Sequence, residues 1–191
     1  MSQCMVLRSS QEDQPVFVSL VNGTVVFSQL ANLAKESGNE HINSSSMLLK
    51  RCHNADINLG GPITKALLVQ SLCPDFGRID VLLLQHNNSL TLCLTNFGTM
   101  QQVAASSDMT SAAMIGRHLI VVHFNKPPAV YTYDPASAVF TPNSEWAPPG
   151  TIVSVRSFSQ TLFGSEVAVA VMQGNLICLI NSTLETQVIP M

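Results

Sequence analysis

Leu119-Ile120-Val121-Val122-His123-Phe124, then Asn125-Lys126-Pro127-Pro128, then Ala129-Val130-Tyr131-Thr132-Tyr133 is the stretch on which the fold turns. Two runs rich in β-branched and aromatic residues flank a segment whose two prolines cannot donate to a ladder. The prolines therefore belong to the loop, and the runs pair as a hairpin. The turn signal Asp134-Pro135-Ala136-Ser137 starts a third run at residues 138–141, and residues 111–115 supply another before the hairpin. Together they make one four-stranded antiparallel unit.

The same unit recurs on both sides. A second hairpin joins residues 79–85 to 90–94 through His86-Asn87-Asn88-Ser89, and a fourth joins 167–172 to 176–180 through Gln173-Gly174-Asn175. The first joins 16–21 to 24–27 across Asn22-Gly23, the dipeptide best suited to the positive φ angles of a type I′ turn. Further turns, Asn96-Phe97-Gly98 and Asn181-Ser182-Thr183, lead into strands at 100–104 and 185–189, and apolar stretches at 4–7, 66–73 and 152–158 precede the hairpins. Hairpin turns and following turns advance together, by about 39 and then about 46 residues, as copies of one supersecondary unit do. Residues 31–62 break the pattern. They are rich in Ser, Asn, Lys and Glu and read as a polar loop insertion, with a short strand at Met47-Leu48-Leu49 closing the first unit. The expectation is an all-β chain, one β-repeat domain over residues 1–191, with units at about 4–50, 65–105, 110–142 and 151–190.

Composition agrees. Of 191 residues 46% are hydrophobic and only 11% charged, so the surface must be furnished by Ser, Thr, Asn and Gln, which exposed strands accept more readily than exposed helices do. A net charge of -3, with 9 Lys and Arg spread mostly singly, offers no basic stripe for phosphates and argues against nucleic-acid binding. The longest apolar runs fall far short of the roughly 20 residues of a membrane span, and the N-terminal residues do not read as a secretion signal. Cys4, Cys52, Cys73, Cys93 and Cys178 are odd in number and form no CxxC pair, which fits small buried hydrophobes in a reducing compartment. A cytoplasmic address, with the nucleus as the variant, is expected.

The units resemble blades of the WD40 and kelch class of β-propellers. The third, with His118-Leu119-Ile120-Val121-Val122 and then Ala129-Val130-Tyr131-Thr132-Tyr133-Asp134-Pro135, is the most similar to a kelch blade, in which Tyr-Asp-Pro ends the third strand. No Gly-Gly pair follows the second strand of a unit and no Trp-Asp dipeptide closes one, and the single Trp146 runs into Ala147-Pro148-Pro149. A four-bladed ring, part of a larger propeller, a half completed by a partner, and a β-sandwich of the same hairpins all remain open.

No catalytic, cofactor-binding or metal-binding residue is assigned. His41, His53, His86, His118 and His123 lack metal-ligand spacing, and His118 and His123, five apart, fall on opposite faces of a strand. Cys52-His53 with Asp56 has no third group to orient a nucleophile, and Gly60-Gly61-Pro62 is too short for a phosphate loop. Asn22, Asn88, Lys126 and Gly174 occupy equivalent hairpin positions and cannot together perform acid-base chemistry. Four acceptor patterns, at Asn22, Asn43, Asn87 and Asn181, are read as turn chemistry rather than glycosylation. The expected function is a non-catalytic protein-interaction module, a scaffold or adaptor subunit that binds other proteins and that self-associates or is completed by a partner through open edge strands. The alternative is a propeller-type hydrolase or carbohydrate-binding domain. The hairpin reading is checked at Gly23: a β-branched side chain at positive φ is strained, so Gly23→Val is expected to cost about 1 kcal/mol or more, read as a lowered melting temperature.

Overall fold

A computed structural model describes residues 3–8, 15–21, 24–32, 47–51, 57–59, 61–73, 77–94, 100–105, 107–158 and 166–191. All its regular elements among these residues are strands. The chain divides into two compact units, Met1–Ile63 and Thr64–Met191.

The first unit holds β1 (Gln3–Arg8), β2 (Pro15–Val21), β3 (Thr24–Asn32), β4 (Met47–Arg51) and β5 (Ile57–Asn58) in one antiparallel sheet. Val21 lies opposite Thr24, so β2 and β3 are joined by a two-residue connection, although Asn22 and Gly23 themselves lie outside the described residues. The nine-residue β3 has more outer edge than one strand uses. β4 pairs with Ser28 to Asn32 and β5 with Thr24 and Val25. Lys50 and Arg51, placed by the sequence in a loop, extend β4 instead and pair with Gln29 and Ser28. Ala31 and Asn32, in β3, and Ile57 and Asn58, in β5, are likewise strand where a loop was expected, because both belong to the long β3 ladder. Residues 33–46, 52–56 and 60 of the expected insertion, with His41, Asn43, Cys52, His53, Asp56 and Gly60, lie outside the described residues.

Three four-stranded antiparallel sheets follow: β6 (Ile63–Cys73), β7 (Gly77–His86), β8 (Ser89–Leu94), β9 (Met100–Ala104); β10 (Met109–Ile115), β11 (His118–His123), β12 (Ala129–Asp134), β13 (Val139–Pro142); and β14 (Ile152–Phe158), β15 (Val167–Met172), β16 (Leu176–Ile180), β17 (Thr186–Pro190). Each is a meander with its strands side by side in chain order. The β7–β8 turn is tighter than its sequence suggests, because His86 and Ser89 pair across it and Asn87 takes φ 47°. Phe124 falls in the β11–β12 turn, 63% exposed, rather than in a strand. Ala138, at φ 55°, delays β13 to Val139. Glu185 stays out of β17 because the Asn181 side-chain oxygen accepts its backbone N–H at 2.9 Å. The turn expected at Asn96-Phe97-Gly98 lies outside the described residues.

These sheets stack serially, which a two-layer sandwich does not do. One core joins Val69, Ile79, Val81 and Leu83 of the β6–β9 sheet to Met114, Leu119, Val121 and Phe140 of the β10–β13 sheet. A second joins Ala113, Ile120, Val122 and Val130 of the same middle sheet to Val155, Ala168, Ala170, Cys178 and Ile180 of the β14–β17 sheet. Alternate residues of β11 therefore serve different cores, and all six are buried. Strand period 2 explains both facts.

Side chains knit the sheets where backbone ladders stop. The Gln101 amide on β9 donates to the Phe140 carbonyl at 2.6 Å and accepts the Phe140 N–H at 2.8 Å, imitating a paired strand on the outer edge of β13. Gln85 on β7 does the same ahead of β10, donating to the Ser107 carbonyl at 3.1 Å and accepting the Met109 N–H at 2.8 Å. Removing such an amide strands a buried donor and acceptor. Gln101→Met, similar in volume, is expected to destabilise by about 1–3 kcal/mol in denaturant titration.

Candidate functional site

β6, β10 and β14, the first strand of each of these three sheets, line a cleft of about 790 Å³. Its apolar walls are Leu67 and Val69 from β6, Ala112 from β10, and Val155 and Phe158 from β14. Its polar lining consists of Gln70, Ser71, Arg78, Thr110, Ser111, Arg156, Ser157 and Glu166.

Glu166, just ahead of β15, is the one carboxylate in that lining. Its Oε2 accepts the hydroxyl of Ser71 on β6 at 2.6 Å and the backbone N–H of Gly116, in the β10–β11 turn, at 2.8 Å. One oxygen thereby ties all three sheets together. Ser71 is buried, and Gly116 has no room to change. Its φ is +51°, and an added Cβ would sit 3.0 Å from the Cβ of Ser182. Ser111 accepts the Val155 N–H at 3.0 Å, joining β10 to β14, and the Lys65 ammonium donates to the Thr110 carbonyl at 2.9 Å, joining β6 to β10. Arg78 donates to the buried Asp80 carboxylate at 2.8 Å. The polar groups of the cleft are thus largely spent on bracing its walls.

Such a set does not assemble acid-base chemistry. The described histidines stand apart from the cleft, each in its own contacts. The His86 Nε2 meets the Thr91 hydroxyl at 2.9 Å and the Gln102 amide at 3.2 Å, His118 Nδ1 meets the Thr132 hydroxyl at 3.1 Å, and His123 Nδ1 meets the Ser107 carbonyl at 2.9 Å. Burial, reinforced by the Arg117 guanidinium, pushes the His118 imidazole below its ordinary pKa. His118 and His123 occupy alternate faces of β11, as a spacing of five requires. Among the described residues no three His, Cys, Asp or Glu side chains converge where a metal could bind, and no helix is long and apolar enough to cross a membrane. Cys73 and Cys178 are free and buried, and burial raises the Cys178 thiol pKa.

The hairpin-turn residues do not meet in this cleft. Asn88, Lys126 and Gly174 sit exposed in separate turns, and Asn22 is outside the described residues. Lys126 lies instead beside a smaller hollow of about 490 Å³, walled mainly by Pro127, Pro128, Pro148 and Gly150.

The Tyr133-Asp134-Pro135 segment is a turn device. The Asp134 carboxylate accepts the Ser137 hydroxyl at 2.5 Å and the Ala136 N–H at 3.1 Å, which together hold its pKa below the usual carboxylate value. Asn181 performs the same service in the next sheet, accepting from Thr183 N–H, Thr183 hydroxyl and Glu185 N–H, while its own amide donates to Glu185 at 2.7 Å. Sequence reasoning had the turns but missed Glu166, which belongs to no motif and lies 95 residues from its Ser71 partner. Glu166→Ala is expected to destabilise the chain by about 1.5–3 kcal/mol, and Glu166→Gln, which keeps an acceptor, by clearly less, both read as unfolding midpoints.

No family model matches the chain, and no curated protein matches it in sequence. Solved structures do resemble it. The crystal structure of BBS1N in complex with ARL6DN aligns at 13% identity with a TM-score of 0.54, covering 98% of this chain and 54% of that one. HIRA aligns at 10% identity and TM-score 0.44, and U3-55K at 10% and 0.45, with 52% and 54% of those chains covered. All three are β-propeller proteins, and this chain spans about half the length of each. On the match to BBS1N the chain is all-β, with three four-stranded antiparallel sheets that resemble propeller blades.

Proposed function

We propose that this chain is a non-catalytic protein-interaction module, a scaffold or adaptor subunit of a multiprotein complex, and that the cleft along β6, β10 and β14 receives a segment of another protein. The carrying observation is the state of the cleft's polar groups. Its single carboxylate is occupied by Ser71 and Gly116, whereas Gln70, Ser157 and Arg156 lie among the apolar side chains of its walls. Fixed walls with a few polar side chains between them suit recognition. A hydrolase would need a second acid, or a nucleophile beside a base, within reach of one substrate atom.

The similar solved structure of BBS1N is itself a complex with another protein, ARL6DN, which lends analogy to this reading. Buried free thiols at Cys73 and Cys178 suit a reducing compartment, and we place the protein in the cytoplasm or nucleus on that ground. The test is affinity capture from native extract with the wild-type chain and with Gln70→Arg, which crowds the cleft from β6. Discrete stoichiometric partners that are lost with Gln70→Arg are expected. Recovery of the wild-type chain only as itself would overturn the proposal.

A further inference from the structure

Three loops of the second unit meet at the hollow that Lys126 borders. They are the β11–β12 turn at residues 125–128, the β13–β14 connection at Pro148 and Gly150, and the β15–β16 turn at Gln173. The hollow has a volume of about 490 Å³ and shares no lining residue with the larger cleft. Ile152 belongs at once to its lining and to the core that joins the β10–β13 and β14–β17 sheets, so the hollow is seated on packed side chains.

Its rim is preorganised. Ring closure fixes φ near about -65° at Pro127, Pro128 and Pro148, and Asn125 is turned to φ 53°. The Gln173 N–H donates to the Thr151 carbonyl at 3.0 Å, tying the β15–β16 turn to the connection. That connection runs so close to the core that a Cβ on Gly150 would stand 2.6 Å from the terminal methyl of Met172. A surface already held in this way loses little conformational freedom when it is occupied.

The chemistry of the lining is one-sided. Three pyrrolidine rings and Ile152 make it apolar, and Lys126 is its sole ionised side chain. Lys126 is exposed, and its ammonium makes no hydrogen bond or ion pair among the described residues. Phe124, directly before the turn, leaves a further ring 63% exposed. The prolines have no N–H and that of Gln173 is spent, so the hollow lacks the cluster of backbone donors that grips a phosphate group.

We propose that this hollow docks an extended segment of another protein in which an aromatic residue stands next to one or two carboxylates. Pyrrolidine C–H groups beside a tertiary amide carry partial positive charge, and the negative face of an aromatic ring packs against them. A neighbouring carboxylate reaches the Lys126 ammonium, a single charge answering a single charge. The chain as a whole, at -3, does not attract an acidic segment, so selection comes from Lys126 and the rings beside it. Docking here is independent of the cleft.

The test selects a random peptide display library on the immobilised full chain, then titrates the enriched peptides, fluorescein-labelled, against the wild-type chain and its variants by polarisation. Peptides that join an aromatic residue to Asp or Glu are expected, with affinity that falls as salt rises. Lys126→Glu is expected to weaken them about tenfold or more, Pro127→Ser about threefold, and Lys126→Arg about twofold or less. Both positions are exposed, so circular dichroism is expected to be unchanged in all three. Gln70→Arg, in the cleft, is expected to leave the affinity as it is, and ADP, which offers a ring and phosphates, is expected not to compete. Failure to enrich any peptide, enrichment without acidic residues, equal binding to Lys126→Glu, or displacement by ADP would each overturn the proposal. Peptides lost with Gln70→Arg but kept with Lys126→Glu would overturn docking at this hollow while supporting the cleft as the protein-binding site.

Discussion

A strand buried on both faces, as β11 is, has to be covered twice, and the rest of the second unit is arranged around meeting that demand. Leu119 and Val121 go one way, Ile120 and Val122 the other, and the neighbouring sheets supply the two covers. Each methylene so buried contributes about 0.8 kcal/mol, which a single-faced sheet of this length would gather from only half its side chains. Once the stacking is imposed, the first strands of successive sheets fall beside one another. The cleft is the space left between them.

Stacking face to face leaves backbone and polar groups at the seams, and the chain satisfies them with side chains in place of further strands. Gln85 and Gln101 present primary amides to peptide groups of the adjoining sheet, Ser111 accepts a strand N–H, and Glu166 gathers a hydroxyl and an N–H from two other sheets. Such bonds are directional where dispersion contacts are not, so they fix how one sheet is seated on the next. His86 departs from the pattern, since its buried Nδ1 has no partner. Because the Gln102 amide orientation decides which ring nitrogen carries the proton, that atom is either an unpaired donor or the less costly unpaired acceptor.

The strands were legible in the sequence because turns and alternation are local properties. Pro127-Pro128, Gln173-Gly174-Asn175 and Asn181-Ser182-Thr183 each mark a break, and the runs between them became strands within a residue or two. Where boundaries moved, a local hydrogen bond or φ angle moved them, as Asn181 did at Glu185 and Ala138 did at β13. What period 2 cannot convey is which face of an apolar strand is covered and by what; β11 and β15 read alike and differ in burial. The bracing of the cleft was illegible for a related reason. Ser71, Gly116 and Glu166 are unremarkable residue types far apart in the chain, and only the stacking order brings them together.

Every sheet of the second unit is a meander of consecutive strands, so no sheet requires a strand from a distant part of the chain. Closing such short loops costs little chain entropy, and contacts of low sequence separation form early. During synthesis a sheet can pair its own strands soon after its last one leaves the ribosome, and then wait with apolar faces bare until the next sheet arrives. The low charge that lets the sheets meet gives that waiting surface little protection against other nascent chains. The vulnerable moment in this protein's life is therefore the interval between finishing one sheet and covering it, an interval set by the speed of translation.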